Sequence, residues 1–266
     1  MTSQVRDLNV LARQAEQLLN AHHQAKPLLL ANVWDVASAH AVEAAGFPFL
    51  ATSSRAIAQV LGVPDDDTAD PDLILSWTAR IARATSIPVT ADVEAGLGLP
   101  ASELVERLLE AGVVGCNLED TAHHEGGGRL VDAERQAAFL ADVRAASHEA
   151  GVHLVINART DSFIHWPGGE EAQLAEAVRR GQLYLDAGAD CIYPMFVRRQ
   201  EDVASLVSAI PGPLNVLPRR GGLTIAQLTE LGVHRISLAS WVFQIVMQEL
   251  ANVASALADG AGLDDL

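Results

Sequence analysis

Eight short apolar runs, rich in strand-forming residues, recur along this chain of 266 residues and are separated by longer stretches with helical periodicity. The runs cover residues 28–33, 47–52, 88–93, 114–118, 153–158, 191–196, 214–217 and 235–239. Apolar strands that alternate with helices indicate a parallel sheet covered by helices on both faces. No GxGxxG or Walker-type loop follows any run, which disfavours an open nucleotide-binding sheet. Eight units in a chain of this length predict an α/β fold, a closed (β/α)8 TIM barrel.

Glycine follows a helical stretch directly before five of the runs. The junctions are Ala45-Gly46, Ala111-Gly112, Ala150-Gly151, Ala187-Gly188 and Leu231-Gly232. A glycine at a helix C-terminus that leads straight into a strand is typical of repeated β/α units. An N-terminal helix is predicted at 5–21 and an extra, apolar C-terminal helix at 241–258. No Ser/Gly/Pro-rich linker divides the chain, so residues 1–266 are predicted to form a single barrel domain.

The overall charge limits the possible partners, and the cysteines indicate the redox compartment. The formal net charge is −16, which disfavours a nucleic acid or an anionic membrane as partner. No apolar stretch is long enough to span a bilayer, and the N-terminus has no apolar signal core. Cys116 and Cys191 lie inside predicted strands and are interpreted as small core residues in a reducing compartment. We therefore expect a cytoplasmic protein that acts on a small molecule.

Lys26 is the only lysine in the chain, and it precedes the first predicted strand. In a barrel the catalytic groups lie at the opposite, C-terminal ends of the strands. A Schiff-base mechanism needs a buried lysine near the carbonyl of the substrate. The sequence therefore argues against a lysine-dependent aldolase and against a pyridoxal enzyme.

Acidic side chains end two neighbouring apolar runs: Asp92 and Glu94 follow one, and Glu119 and Asp120 follow the next. Side chains two apart on a strand share a face, so Asp92 and Glu94 are expected to point the same way. Carboxylates gathered in this way repel one another unless a cation lies between them. An oxygen-only set of ligands suits Mg²⁺, or Mn²⁺, better than zinc. The alternative is a group of solvated loop acids.

Other polar residues fall at the same predicted face of the barrel. The fifth run ends in Asn157-Ala-Arg-Thr-Asp161, and the second ends in Thr52-Ser-Ser-Arg55 with Asp65-Asp66-Asp67 in its loop. The seventh run contains Asn215 and is followed by Arg219 and Arg220. These two arginines could clamp a second carboxylate or a phosphoryl group, although exposed arginines need no such role.

Taken in order, these motifs resemble the isocitrate lyase/phosphoenolpyruvate mutase superfamily. The matching stretches are Asn32-Val-Trp-Asp35, Thr52-Ser-Ser54, Leu61-Gly-Val-Pro-Asp65, Ala91-Asp-Val-Glu-Ala-Gly96, Asn117-Leu-Glu-Asp120 and Asn157-Ala-Arg-Thr-Asp161. The resemblance implies a (β/α)8 barrel that binds Mg²⁺ together with a 2-oxo acid or its enolate. It also implies a homo-oligomer, commonly a tetramer, in which the helix at 241–258 is exchanged between subunits.

The resemblance also implies roles for individual residues. Asp92 would bind the metal directly, and Asp65, Glu94 and Glu119 would hold it through its waters, as suits Mg²⁺. Asp65 is in addition a candidate catalytic residue.

The same resemblance implies which protein groups bind the substrate. Backbone N–H groups around Ser53 and Ser54 would hold the substrate carboxylate, and Asn215 is a further candidate for substrate binding. Arg159 would pair with the carboxylate or the enolate oxygen, a role suited to its fork of donors. The alternative for Arg159 is a structural ion pair with Asp161.

The loop at 121–129 departs from the relatives. Isocitrate and methylisocitrate lyases carry a catalytic cysteine where this chain has Gly127, and phosphoenolpyruvate mutases place a lysine near the position of Glu125. The loop is predicted to be a lid, in which His123 or His124 would act as the general acid. His124 and Glu125 are the candidate catalytic residues of this loop. The alternative is an exposed polar loop.

These observations predict a Mg²⁺-dependent lyase that cleaves a C–C bond of a small 2-oxo or 2-hydroxy carboxylic acid. The metal and Arg159 would stabilise an enolate during retro-aldol cleavage or decarboxylation. One alternative is P–C bond chemistry of the phosphonomutase type, and another is a barrel that binds a carboxylate without turning it over.

Overall fold

The fold is described by a computed structural model, which covers residues 7–123 and 128–265. The strands are β1 (Leu28–Leu30), β2 (Asn32–Val33), β3 (Leu50–Thr52), β4 (Val89–Asp92), β5 (Gly115–Glu119), β6 (Thr121–Ala122), β7 (Arg129–Leu130), β8 (Val155–Thr160), β9 (Cys191–Pro194), β10 (Asn215–Val216) and β11 (Arg235–Ser237). The helices are α1 (Leu8–Ala21), α2 (Val36–Ala44), α3 (Ser54–Leu61), α4 (Pro71–Ala84), α5 (Ala101–Ala111), α6 (Ala133–Glu149), α7 (Ser162–His165), α8 (Glu170–Asp186), α9 (Gln200–Ala209), α10 (Ile225–Glu230) and α11 (Trp241–Ala258).

The parallel strands form a ring. Six of them pair in the order β2-β3-β4-β5-β8-β9, and three pair in the order β1-β11-β10. Only Ala31 separates β1 from β2, so these two are parts of one strand that connects both groups. A parallel bridge between Ile192 and Leu214 joins β9 to the segment that leads into β10. The pairing therefore runs around eight strands and returns to the first, as the sequence predicted.

Each of the eight predicted runs contains at least part of a strand of this ring. The five predicted glycine junctions all have the left-handed backbone that ends a helix, with φ of 88° at Gly46, 86° at Gly112, 72° at Gly151, 102° at Gly188 and 82° at Gly232. The β6-β7 pair is antiparallel and was not predicted, because its strands are too short to show a period in the sequence. It brackets the predicted lid.

Helix α1 closes the N-terminal end of the barrel. Leu11, Ala15 and Leu18 on one face of α1 are fully buried, because apolar residues three and four apart share a side of a helix. Leu18 reaches β5 at Gly115, where an added Cβ would lie 2.9 Å from Leu18 Cδ2. The missing side chain at Gly115 therefore gives α1 room to pack under the strands.

The interior of the barrel is partly polar. Arg235 is fully buried, and its Nη2 donates to Asn117 Oδ1 at 3.2 Å, from β11 to β5 on the opposite side of the ring. The same Asn117 oxygen accepts from Asn157 Nδ2 at 2.7 Å. Cys116 and Cys191 are buried free thiols. The barrel thus carries a buried cation between α1 and the face on which the strands end.

Helix α11 leaves the barrel after the last strand. Phe243 is its one buried residue and packs edge-on against Trp34, with ring centroids 5.1 Å apart. Large apolar side chains of α11 are exposed, among them Leu250 at 57%. Within the described part of the chain, no helix combines the length and the apolar character needed to cross a bilayer.

Candidate active site

Asp92, Ser54 and Asp65 meet where β3 and β4 end. The Ser54 hydroxyl donates to Asp92 Oδ2 at 3.1 Å, and the Ser54 backbone N–H points to the same oxygen at 3.3 Å. Ser54 begins α3, so Asp92 accepts from the positive end of a helix. Although Asp65 as a whole residue is exposed, its carboxyl group is partly shielded from solvent. This desolvation, and then the charge of Asp92, raise the pKa of Asp65. The two carboxylates predicted to serve a metal therefore lie within electrostatic reach of each other.

A second acidic group surrounds Glu94, which follows β4 in a left-handed conformation with φ of 53°. Its carboxylate accepts from the Asp67 backbone N–H, and burial followed by three neighbouring carboxylates raises its pKa to about 8. Asp67 accepts in turn from the backbone N–H groups of Ala95 at 3.1 Å and Leu97 at 2.8 Å. Ligand atoms of Asp67, Glu94 and His123 all lie within 4.8 Å of one another.

Glu119 is shared between two cationic side chains. Its Oε1 contacts His123 Nε2 at 2.6 Å, and its Oε2 forms an ion pair with Arg159 Nη1. Burial raises the pKa of Glu119, while the Arg159 charge and the His123 hydrogen bond act in the opposite direction. The hydrogen bond to Glu119 raises the pKa of His123 to about 9. His123 is therefore an imidazolium at neutral pH, and it can give up a proton but is a poor metal ligand in that state.

Arg159 is fixed by carboxylates on two sides. Its Nε and Nη2 donate to Asp161 at 2.7 and 2.8 Å, in addition to the pair with Glu119. Burial alone would lower the pKa of Arg159, but Asp161 and Glu119 more than offset this and raise it. The structural ion pair that the alternative predicted is present. It also holds the guanidinium in one orientation beside the acidic groups.

Asp120 belongs to a different network. Its Oδ2 accepts from Arg180 Nη1 at 3.0 Å and from the Tyr184 hydroxyl at 2.8 Å, and its Oδ1 accepts from the Asp161 backbone N–H at 2.8 Å. All of these groups are buried. Asp120 thus connects α8 to the end of β8 and supports Asp161. Nothing in the sequence pairs Asp120 with residues on α8, which lie about sixty positions away.

Two of the residues predicted to bind the substrate form hydrogen bonds within the protein instead. The Ser53 backbone N–H donates to Val33 O at 3.2 Å, and its hydroxyl accepts from the Ala56 N–H at 3.4 Å as the cap of α3. Asn215 Nδ2 donates to Ser237 Oγ at 2.9 Å in the barrel interior. Ser54 therefore presents its donors to the acidic groups, whereas Ser53 and Asn215 serve neighbouring backbone and side chains.

The predicted lid is described only in part. His124 and Glu125, the two candidate catalytic residues of this loop, lie outside the described residues, as does Gly127. His123 precedes them and Arg129 begins β7 after them. Sequence reasoning did not single out Asp67, although the run Asp65-Asp66-Asp67 was the signal that could have found it.

The donors at this face fit Mg²⁺. Two neighbouring β/α units supply carboxylate oxygens here, from Asp92, Asp65, Glu94 and Asp67. Burial raises the pKa of Asp65 and Glu94, and repulsion from the neighbouring carboxylates raises it further. Such repulsion is relieved by a hard cation, which prefers oxygen ligands and keeps several waters. Arg159 lies close enough to act on the charge of Asp65. The site can therefore hold a divalent cation and a carboxylate side by side.

Comparison with known proteins gives consistent matches. The family model of phosphoenolpyruvate phosphomutase matches residues 18–258. An uncharacterized protein of Mycobacterium tuberculosis (strain H37Rv) is 31% identical over 242 residues, which are 91% of this chain and 89% of that protein. The "Probable 2-methylisocitrate lyase 1" of Corynebacterium glutamicum is 33% identical over 199 residues, 73% of this chain, but the match spans only 60% of that lyase.

Solved structures share the fold. A "putative phosphonomutase" from Burkholderia cenocepacia J2315 superimposes with a TM-score of 0.85 and 35% identity, over 91% of this chain and 99% of that one. Phosphonopyruvate hydrolase, solved with oxalate and Mg²⁺, superimposes with a TM-score of 0.80 and 25% identity, over 93% of this chain and 88% of that one. In the latter relative, a dicarboxylate and the predicted metal are bound together.

Proposed function

The chain belongs to the phosphoenolpyruvate phosphomutase family, as its motifs predicted, and we propose that it is a Mg²⁺-dependent lyase. Its substrate would be a small 2-oxo or 2-hydroxy carboxylic acid, from which a C–C bond is cleaved by retro-aldol reaction or decarboxylation. The observation that carries the proposal is the placement of Arg159 between Asp161 and Glu119, beside the carboxylates around Asp92. A fixed cation next to a site for a divalent ion suits an enolate with an adjacent carboxylate.

When bound, Mg²⁺ would supply Lewis-acid stabilisation of the oxygen on which negative charge develops. Asp92 would hold it directly, with Asp65, Glu94 and Glu119 acting through its waters. Arg159 would bind and orient the substrate carboxylate, because its fork is already fixed by Asp161. The proposed role for His123 is to donate a proton to the carbanion carbon after the bond breaks. Its raised pKa keeps that proton in place at neutral pH.

A second candidate is P–C bond chemistry. It is favoured by the similarity to the Burkholderia phosphonomutase and to phosphonopyruvate hydrolase. The chain has no lysine in the loop at 121–129, where the mutases place one, and this counts against the mutase reaction. The non-catalytic alternative requires that the site keeps its carboxylate-binding groups but releases no product.

One panel of substrates separates these possibilities. The protein is incubated with Mg²⁺ and oxaloacetate, alkylmalates, methylisocitrate or phosphonopyruvate, and pyruvate, glyoxylate and inorganic phosphate are assayed. A lyase releases pyruvate or glyoxylate from a C–C substrate, and EDTA abolishes the reaction. Phosphate released from phosphonopyruvate would indicate P–C chemistry instead. Tight oxalate binding without any turnover would identify a binding protein.

Asp92→Ala tests the metal mechanism directly. Loss of the direct ligand should lower kcat/KM by at least about 1,000-fold, or about 4 kcal/mol of barrier. Asp142→Ala is the matched control, because Asp142 is an exposed acid on α6. Product formation that persists in Asp92→Ala would contradict the assignment of Asp92 as the metal ligand.

A further inference from the structure

A cavity of about 270 Å³ opens where β9 and β10 end. Its walls include the apolar side chains of Val197, Val216 and Leu228. Arg198, Arg219 and Arg220 also line it. Concave sites with an apolar lining and a few convergent polar groups are the usual form of small-molecule pockets.

The three arginines have no acidic partner within the described part of the chain. This is unexpected in a protein with 34 acidic residues and 18 basic ones. The adjacent Arg199 forms ion pairs with two carboxylates, those of Asp202 at 2.7 Å and Glu170 at 2.8 Å. The positive charge at the cavity is therefore uncompensated, whereas the charge one residue further along the chain is fully paired.

The local backbone places Arg219 and Arg220 in a tight turn at the edge of the cavity. The Gly222 N–H donates to Arg219 O at 3.0 Å, which closes a turn that contains Gly221 at φ of 73°. An added Cβ at Gly222 would lie 3.3 Å from the Arg219 carbonyl oxygen, so the turn favours glycine there as well. The Arg219 guanidinium lies over the Phe196 ring, 5.4 Å from its centroid, and this contact limits its movement.

The cavity is distinct from the Arg159 centre. Arg159 on β8 is paired in register with Tyr193 on β9. Tyr193, Met195 and Leu217 form a separate buried apolar cluster, against which Phe196 packs. Leu217 contributes to this cluster and also lines the cavity. The residues that line the cavity are separate from those around Arg159, so each site has its own arginines.

We propose that Arg198, Arg219 and Arg220 form a second anion site, which takes a compact oxyanion group of a small ligand. The shared chemistry is a phosphoryl or carboxylate group held by guanidinium forks. The net charge of the protein is −16, so its overall electrostatic field repels anions. Three arginines without an acidic partner in one cavity supply a local attraction for an anion. The proposal does not depend on the reaction catalysed at the Arg159 centre.

The test is a titration with inorganic phosphate, and in parallel with succinate, by isothermal calorimetry at constant ionic strength with EDTA present. The double variant Arg219→Gln/Arg220→Gln should bind at least about tenfold more weakly than the wild type. The control Arg13→Gln/Arg83→Gln removes the same charge from two exposed arginines on α1 and α4 and should change affinity less than about twofold. Unchanged melting temperatures would show that the variants are folded.

Two further comparisons identify the anion and its location. Tighter binding of phosphate than of succinate would indicate a phosphorylated ligand, and the reverse a carboxylate. Arg159→Gln should weaken binding of the preferred anion less than Arg219→Gln/Arg220→Gln does, because the Arg159 centre can itself bind a carboxylate. Absence of binding to the wild type, equal losses in both double variants, or loss only in Arg159→Gln would each overturn the proposal.

Discussion

Arg159 shows how one residue can serve structure and chemistry together. The guanidinium makes a bidentate pair with Asp161 and a further pair with Glu119. Asp161 is itself held by the Thr121 hydroxyl at 2.5 Å and by Asp120, which accepts from its backbone N–H. A fork whose orientation is set before substrate arrives loses less entropy on binding. The ion pair therefore supports the function proposed for Arg159.

Asp161→Asn tests this role of orientation. The substitution keeps the positive charge of Arg159 but weakens the hydrogen bonds that fix it, so the guanidinium should shift. A displacement of about 1 Å costs on the order of 100-fold in rate, and we expect a loss of that size in kcat/KM. Steady-state kinetics on the substrate found in the panel measures it, with Asp142→Asn as control. Unchanged kinetics would mean that Glu119 alone orients Arg159.

The sequence predicted the acidic residues of the site better than their partners. Asp92 and Glu119 were recognised because each ends an apolar run, a signal that lies within a few residues. The contacts from Asp120 to Arg180 and Tyr184 join distant parts of the chain. Such contacts depend on how α8 rotates against the barrel, and a pattern of residue types along the chain does not contain that rotation. Local placement was therefore predictable, and the hydrogen-bond network was not.

At the scale of elements, periodicity predicted the β/α units, whereas the packing of α1 follows from individual residues. His22 caps the C-terminus of α1. Its ring is fully buried, and its Nδ1 donates to Leu18 O at 2.8 Å. Burial, and then the charge of Arg235, lower the pKa of His22 to about 3. The end of α1 thus requires a neutral imidazole below the barrel, within electrostatic reach of the buried Arg235 guanidinium.

The low pKa of His22 predicts a loss of stability in acid. Between pH 3 and pH 6.5 the unfolded chain binds a proton at His22 that the folded chain does not. The free energy of unfolding should therefore fall as the pH drops below 6.5, by about 1.4 kcal/mol per unit. His22→Gln keeps a side-chain donor but cannot titrate.

Urea unfolding of the wild type and His22→Gln at pH 6.5 and about pH 5 isolates this effect. The wild type should lose about 2 kcal/mol more than the variant over that interval. Equal losses would show that His22 accepts a proton in the folded protein without cost. That result would also contradict the burial of the ring against Arg235.

At the scale of the whole molecule, α11 is the element that the barrel leaves uncovered. It is 18 residues long and buries only Phe243, while Val246 and Leu250 are 48% and 57% exposed. Residues four apart lie on one face of a helix, so these two belong to a continuous apolar surface. Exposed apolar surfaces of this kind mark interaction sites. We propose that a second copy of this chain covers α11, as the predicted helix exchange at 241–258 requires.

Val246→Glu/Leu250→Glu should dissociate such an oligomer, because each subunit would bury two uncompensated charges in the contact. Analytical ultracentrifugation at micromolar concentration should give a dimer or tetramer for the wild type and a lower mass for the variant. Leu8→Glu on α1 is the control, since Leu8 is also a large apolar residue, 47% exposed, but belongs to a different helix. Glutamate is a good helix former, so α11 itself should persist and circular dichroism should be unchanged. A wild type that stays monomeric, or a variant of unchanged mass, would rule out an assembly through this face of α11.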